Sequence, residues 1–140
     1  SVSVSKGLLQ ITRTFRRLPR RMFDQSRSYW IEFSRANLMN SPRIRALLDP
    51  ANLIEVNDLE EMFQQLGPWI DCLHAKDRKL HTEAGVAAGQ GDVDYPKMVS
   101  LAAQHTPHAP LILEYVGLAD YQQALTHLRR TFRQVGVTER

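Results

Sequence analysis

The sequence predicts an α/β fold of parallel strand–helix repeats, and three observations predict it. Short apolar runs alternate with segments of helical period, an order that calls for parallel strands joined by right-handed crossovers. The runs are too short for helices and are bounded by Gly, Pro, Asn and Asp. Three of them, Arg45–Leu48, Trp69–Leu73 and Pro110–Leu113, each end on a metal-capable side chain: Asp49, His74 and Glu114. Core packing does not select a polar ligand at the end of a buried run, whereas a divalent-metal site at the C-terminal edge of a parallel sheet needs one.

The elements follow in order. Residues 1–40 form an Arg-rich strand/helix region. Val2 and Val4 alternate with Ser, which predicts a short strand over Val2–Lys6, while Gly7–Leu18 matches neither period. From Pro19 to Leu38, Met22, Phe23, Trp30, Phe33 and Leu38 recur at roughly helical spacing, with Pro19 in the first turn and Asn40-Ser41-Pro42 as the stop. Residues 41–140 hold three strand–helix units. Arg43–Leu48 reads as a strand running into the Asp49-Pro50-Ala51-Asn52 turn. Asn57 or Asp58 caps a helix whose Leu59, Met62, Phe63 and Leu66 sit at i, i+3, i+4 and i+7, and Gly67-Pro68 ends it. Trp69–His74 is the second strand, and Lys76–Asp94 a polar loop. Asp94 caps a helix from Tyr95 to about His105, Thr106–Ala109 is a linker and Pro110–Tyr115 the third strand. Asp120–Val135 is a final amphipathic helix with Leu125, Leu128 and Phe132 on one face.

The 140 residues, 43% hydrophobic and 24% charged, suffice for one domain with a hydrophobic core. No apolar stretch approaches the ~20 residues that cross a membrane, and no signal peptide is evident. A single cysteine, Cys72, excludes an intrachain disulfide and points to a reducing compartment, the cytoplasm by default. It lies in a predicted strand and reads as inert core. Ser1 in place of Met predicts a processed or partial chain. Residues 1–45 carry ten Lys/Arg against Asp24 and Glu32, a net +8, while the remainder carries −5. With no nucleic-acid-binding motif beside it, the basic half reads as a solvated Arg-rich helix face rather than a nucleic-acid arm.

Four pieces in order carry a family resemblance: Leu47-Leu48-Asp49-Pro50-Ala51-Asn52, His74-Ala75-Lys76-Asp77-Arg78, Gly89-Gln90-Gly91-Asp92-Val93-Asp94-Tyr95 and Leu111-Ile112-Leu113-Glu114. Over about Ser41–Arg130 the chain resembles the C-terminal part of the sugar phosphate isomerase/epimerase family, the xylose isomerase-like TIM barrels. The resemblance implies the C-terminal half of a (β/α)8 barrel, with residues 41–140 as its last three β/α units. It maps three of the family's four metal ligands onto Asp49, His74 and Glu114. It also implies a divalent cofactor (Mn, Mg, Co or Zn) and Glu114 as one of a pair of acid–base glutamates. Lys76 and Arg78 are candidates for a substrate phosphate or carboxylate, with a solvated loop and Asp77 as counter-ion the plainer alternative. The Gly89–Asp94 loop is a candidate cover for a ligand.

Two departures stand out. Asn52 occupies a position where the family commonly has histidine; it can bind a substrate hydroxyl but cannot shuttle a proton. The family's first glutamate has no counterpart, because Val2–Lys6 ends on Lys6 and no acidic residue precedes Asp24. A whole barrel takes about 200–250 residues, so the chain is expected to form a homo-oligomer or to join a missing N-terminal half. The leading expectation is a metal-dependent isomerase or epimerase of a small sugar, sugar phosphate or polyol. One alternative is a truncated, non-catalytic barrel relative acting as an assembly or interaction protein. Another is a metal-dependent hydrolase like the related apurinic endonucleases, which carry additional His ligands in His-x-His form where this chain has Lys76 at the second position. His81, His105, His108 and His127 read as surface or loop residues.

Overall fold

The computed structural model of the chain describes residues 2–5, 8–11, 45–55, 57–82 and 85–139. Five strands form one sheet in the order β1 (Val2–Ser5), β2 (Leu8–Ile11), β3 (Arg45–Leu48), β4 (Ile70–Ala75), β7 (Leu111–Leu113). The β2–β3, β3–β4 and β4–β7 pairings are parallel and β1–β2 is antiparallel. The expected parallel α/β order therefore holds over the pieces that were legible. The N-terminal expectation does not. The strand expected over Val2–Lys6 is β1, but a second strand follows it, and the one that runs parallel beside β3 is Leu8–Ile11 in the stretch that matched neither period. The helix expected over Pro19–Leu38 lies outside the described residues.

Between β3 and β4 the chain makes a 3-10 turn at Pro50–Asn52 and helix α1 (Leu59–Leu66). Asp58 caps α1 through its carboxylate, which accepts from the backbone N–H of Glu60 at 2.8 Å and Glu61 at 3.3 Å. Asn57, the other candidate, is buried and donates to the Leu53 carbonyl instead. The predicted stripe Leu59, Met62, Phe63 and Leu66 is the buried face. Helix α2 (Tyr95–His105) is capped by Asp94, with Pro96 in its first turn, as its spacing predicts. Helix α3 (Tyr121–Val135) ends at Gly136 in the left-handed region, φ 71°. Its buried stripe is Ala124, Leu128 and Thr131 rather than Leu125, Leu128 and Phe132, a rotation of one position. The stripe tolerates Thr131 because its hydroxyl donates to the His127 carbonyl.

β4 is buried along nearly its whole length, the pattern of a parallel strand covered on both sides. Strand residues Ala46, Leu48, Ile70 and Leu73 join Met62, Phe63, Met98 and Leu128 of the helices in one core. Burying a side chain such as Phe63 contributes on the order of 1.5–3 kcal/mol. β7 is shorter than the predicted Pro110–Tyr115 and only half-buried, with Ile112 exposed. Among the described residues it is the edge of the sheet, paired on one side only.

The Lys76–Asp94 loop is more ordered than a polar loop needs to be. It contains a two-stranded ladder, β5 (Asp77–Arg78) with β6 (Gly85–Val86). Asp77 is its organiser, 1% exposed, with a carboxylate that accepts from three backbone N–H groups: Arg78 at 2.8 Å, Val93 at 3.0 Å and Gly89 at 3.1 Å. Asp77 is thus no counter-ion to Lys76 or Arg78. Gly89 takes a positive φ of 87°, and Gly91 lies so close to Asp77 and the Arg78 carbonyl that no Cβ fits. No helix among the described residues is long and apolar enough to cross a membrane.

Candidate metal centre

Register brings the predicted ligands together. Leu48 pairs with Leu73, so the next residues, Asp49 and His74, lie level; Leu113 pairs with Ala75, which sets Glu114 level with Lys76. The Glu114 N–H donates to the Ala75 carbonyl, extending the ladder to the carboxylate itself. Asp49 is fully buried at the end of β3, where Pro50 turns the chain and Asn52 returns to donate from Nδ2 to Asp49 Oδ2 at 2.8 Å.

One ligand atom each from Asp49, His74 and Glu114 lies within 4.8 Å of the other two. Asp49 Oδ1, His74 Nδ1 and Glu114 Oε2 are buried without a hydrogen-bond partner. His74 Nδ1 is 3.1 Å from Glu114 Oε2 and 3.6 Å from Asp49 Oδ2, yet neither approach has hydrogen-bond alignment. Buried polar atoms this close and this poorly aimed at each other point to a shared centre. Two carboxylates and an imidazole fit Mn²⁺, Mg²⁺, Co²⁺ or Zn²⁺. Among the described residues the cluster has three such members. The strand beside β3, where the resemblance expects the fourth ligand, is Leu8–Ile11, and no acidic residue precedes Asp24.

The electrostatics have a second component. The Lys76 ammonium is 2.7 Å from Asp49 Oδ2 and 3.0 Å from Glu114 Oε2, with its side chain 8% exposed. Burial lowers its pKa, but the charges and hydrogen bonds of Asp49 and then Glu114 outweigh that and hold it above the ordinary lysine value. The His74 imidazole is likewise pushed up, chiefly by Asp49, against the opposing effect of burial. Lys76, expected to face substrate, thus faces the Asp49 and Glu114 carboxylates.

Arg78 sits apart, its Nη1 3.8 Å from Glu55 Oε2 and its Nε buried without a partner. One residue beside the site escaped notice in the sequence and another was read differently. Tyr115, just after Glu114, adopts φ 59°, a left-handed conformation that non-glycine residues rarely take. Its ring lies 4.8 Å from Lys76 Nζ and against Gly85, where a Cβ would sit 3.0 Å from Cε1. His127 is not a plain surface residue. It meets Tyr95 edge-on at 4.9 Å, has Nε2 buried without a partner, and its pKa is lowered by burial. The Tyr95 hydroxyl in turn donates to the Lys76 carbonyl at 2.9 Å, bracing the strand end. His81 and His108 are exposed as expected, and the Cys72 thiol is buried with its pKa raised by desolvation.

Fold and cluster together define an α/β domain with an Asp–His–Glu group at the C-terminal edge of a largely parallel sheet. Among solved structures it is similar to a xylose isomerase domain protein from Planctomyces limnophilus. The TM-score is 0.62 and the identity 17%, over 93% of this chain and 59% of that one. The likeness is one of fold, and this chain spans well under two thirds of that neighbour's length. No family model matches the chain, and no curated protein matches it.

Proposed function

We propose that this chain is a metal-dependent isomerase or epimerase of a small sugar, sugar phosphate or polyol, built on the C-terminal half of a (β/α)8 barrel. The observation that carries the reading is the convergence of three buried ligand atoms, none with an aligned hydrogen bond, from the ends of three adjacent parallel strands. The xylose isomerase-like fold supports it. Asp49, His74 and Glu114 would hold the divalent ion, which when bound would supply Lewis-acid polarisation of a substrate carbonyl and its neighbouring hydroxyl and so acidify the C–H on the hydroxyl-bearing carbon. Glu114 would take that proton and return it; the exposure of a third of its side chain supports this role. Asn52 fixes Asp49 with one amide hydrogen and keeps its remaining polar atoms for a substrate hydroxyl. Arg78 offers an unpaired Nε and a planar fork to a phosphate or carboxylate.

The test is thermal melting with and without saturating Mn²⁺ or Zn²⁺. Metal is expected to raise the melting temperature of the native chain, and Asp49→Ala, His74→Ala and Glu114→Ala to abolish that shift. A native chain that binds neither ion overturns the reading. One observation favours a second reading, a non-catalytic assembly protein: the Lys76 ammonium already neutralises part of the Asp49–Glu114 pair without any metal. That reading expects no metal shift and a stable complex, with itself or a partner, by solution mass. A hydrolase of the endonuclease type needs a ligand where Lys76 supplies a cation, and is set aside.

A further inference from the structure

We propose that Lys76 is a resident cation of the Asp–His–Glu cluster, so that a divalent metal binds by exchange with its ammonium rather than by entering an open cage. The inference rests on the metal-site reading above and adds a competitor to it.

The geometry is specific. Lys76 Nζ contacts one oxygen of each carboxylate that the metal requires, at 2.7 Å and 3.0 Å. An ion bound by Asp49, His74 and Glu114 would share both anchors with the ammonium at the separations of direct ligation. Two like charges there repel strongly in a site with little water. The ammonium therefore leaves when the ion arrives. Its other neighbour shows where it can go: the Tyr115 ring lies 4.8 Å from Nζ, and Tyr115 is 58% exposed. An aromatic face on the solvent side is a second seat for a cation. The left-handed backbone of Tyr115 and its close fit over Gly85 set the ring in that place. One residue thus keeps the carboxylate pair partly neutralised while no metal is bound, and sets a threshold that a weakly bound cation does not pass.

The test is calorimetric titration of Mn²⁺ into the native chain and into Lys76→Met, whose side chain keeps the apolar stem and loses the charge. Lys76→Met is expected to bind Mn²⁺ tighter by about tenfold or more, the scale set by removal of one competing buried ion pair. In case the variant folds poorly, the native chain supplies an independent measurement. Lys76 acetylation is quantified by peptide mass spectrometry with and without saturating Mn²⁺, against Lys97 as internal reference. Displacement predicts a several-fold rise at Lys76 alone. A native chain that binds Mn²⁺ with no gain in Lys76→Met, or with Lys76 equally protected in both states, overturns the exchange and leaves the metal site standing. Binding by Lys76→Met but not by the native chain supports the exchange while removing metal function from the native protein. Binding by neither overturns both.

Discussion

Asp77→Ala removes the organiser of the loop beside the site, and its cost follows from the hydrogen bonds. The carboxylate is 1% exposed and accepts from three backbone N–H groups. The Val93 bond is buried, whereas those from Arg78 and Gly89 are partly buried. A bond to a buried charged acceptor contributes about 1.5–3 kcal/mol and the two partly buried ones about 1 kcal/mol each, so the loss is about 4 kcal/mol. That is a large share of the 5–15 kcal/mol that typically holds a domain. Urea unfolding should show the midpoint falling by about 2 M with an unchanged slope, for a slope near 2 kcal/mol/M. Asp77→Asn supplies the internal control. Its amide oxygen can still accept at the position of Oδ1, where Arg78 and Val93 donate, but its NH₂ meets the Gly89 N–H donor to donor. It should lose about half as much. A loss below ~1 kcal/mol for Asp77→Ala, or a larger one for Asp77→Asn, refutes the reasoning.

Two further predictions concern titration and capping. His127 has its pKa lowered by burial, so the unfolded chain binds the proton more readily than the folded one. Its contribution is present above the unfolded value near 6.5 and lost as pH falls towards the lower folded value. His127→Gln should flatten the acid side of the stability–pH curve below about pH 6.5, and an unchanged difference between variant and native chain as pH falls through that region sinks the assignment. Asp58→Ala should cost about 1 kcal/mol by urea unfolding through loss of the α1 cap. Its folded pKa is lowered, first by the Glu61 N–H, so the contribution is present above the unfolded value near 3.8 and should vanish as pH falls below it.

The elements that were legible in sequence are those whose pattern is local. Leu59, Met62, Phe63 and Leu66 mark a helix face by spacing alone, and Asp94-Tyr95-Pro96 carries its own start signal. Leu8–Ile11 was not legible, because Gly7-Leu8-Leu9-Gln10-Ile11 has no alternation, and its strand character depends on pairing with β1 and β3. The rotation of the α3 stripe has the same origin. Which of Ala124 and Leu125 is buried depends on the surface the helix meets, not on its own period. Asp49, His74 and Glu114 were found because strand ends in parallel sheets share an edge, although the sequence holds nothing of the register that levels them. Asp77 was read as a counter-ion in one alternative because two of its three partners are backbone N–H groups twelve and sixteen residues away.

Lys76 is the case in which a signal was present and unused. Side chains two apart on a strand point to the same side, so a ligand at His74 sends position 76 to the same place. A lysine there will find the carboxylates before it finds a substrate. The reason is energetic: Asp49 has no solvent exposure, and a buried carboxylate beside a second one is tolerated only with a positive partner at hand. Asp49, Glu114 and Lys76 therefore form one unit, whose charge balance requires a cation at all times. The remaining freedom lies in which cation holds the seat. On the proposed reading, a strand end that delivers both a metal ligand and the metal's rival would make loading a competition, whose outcome would depend on the affinity of the ion rather than on its access to the cluster.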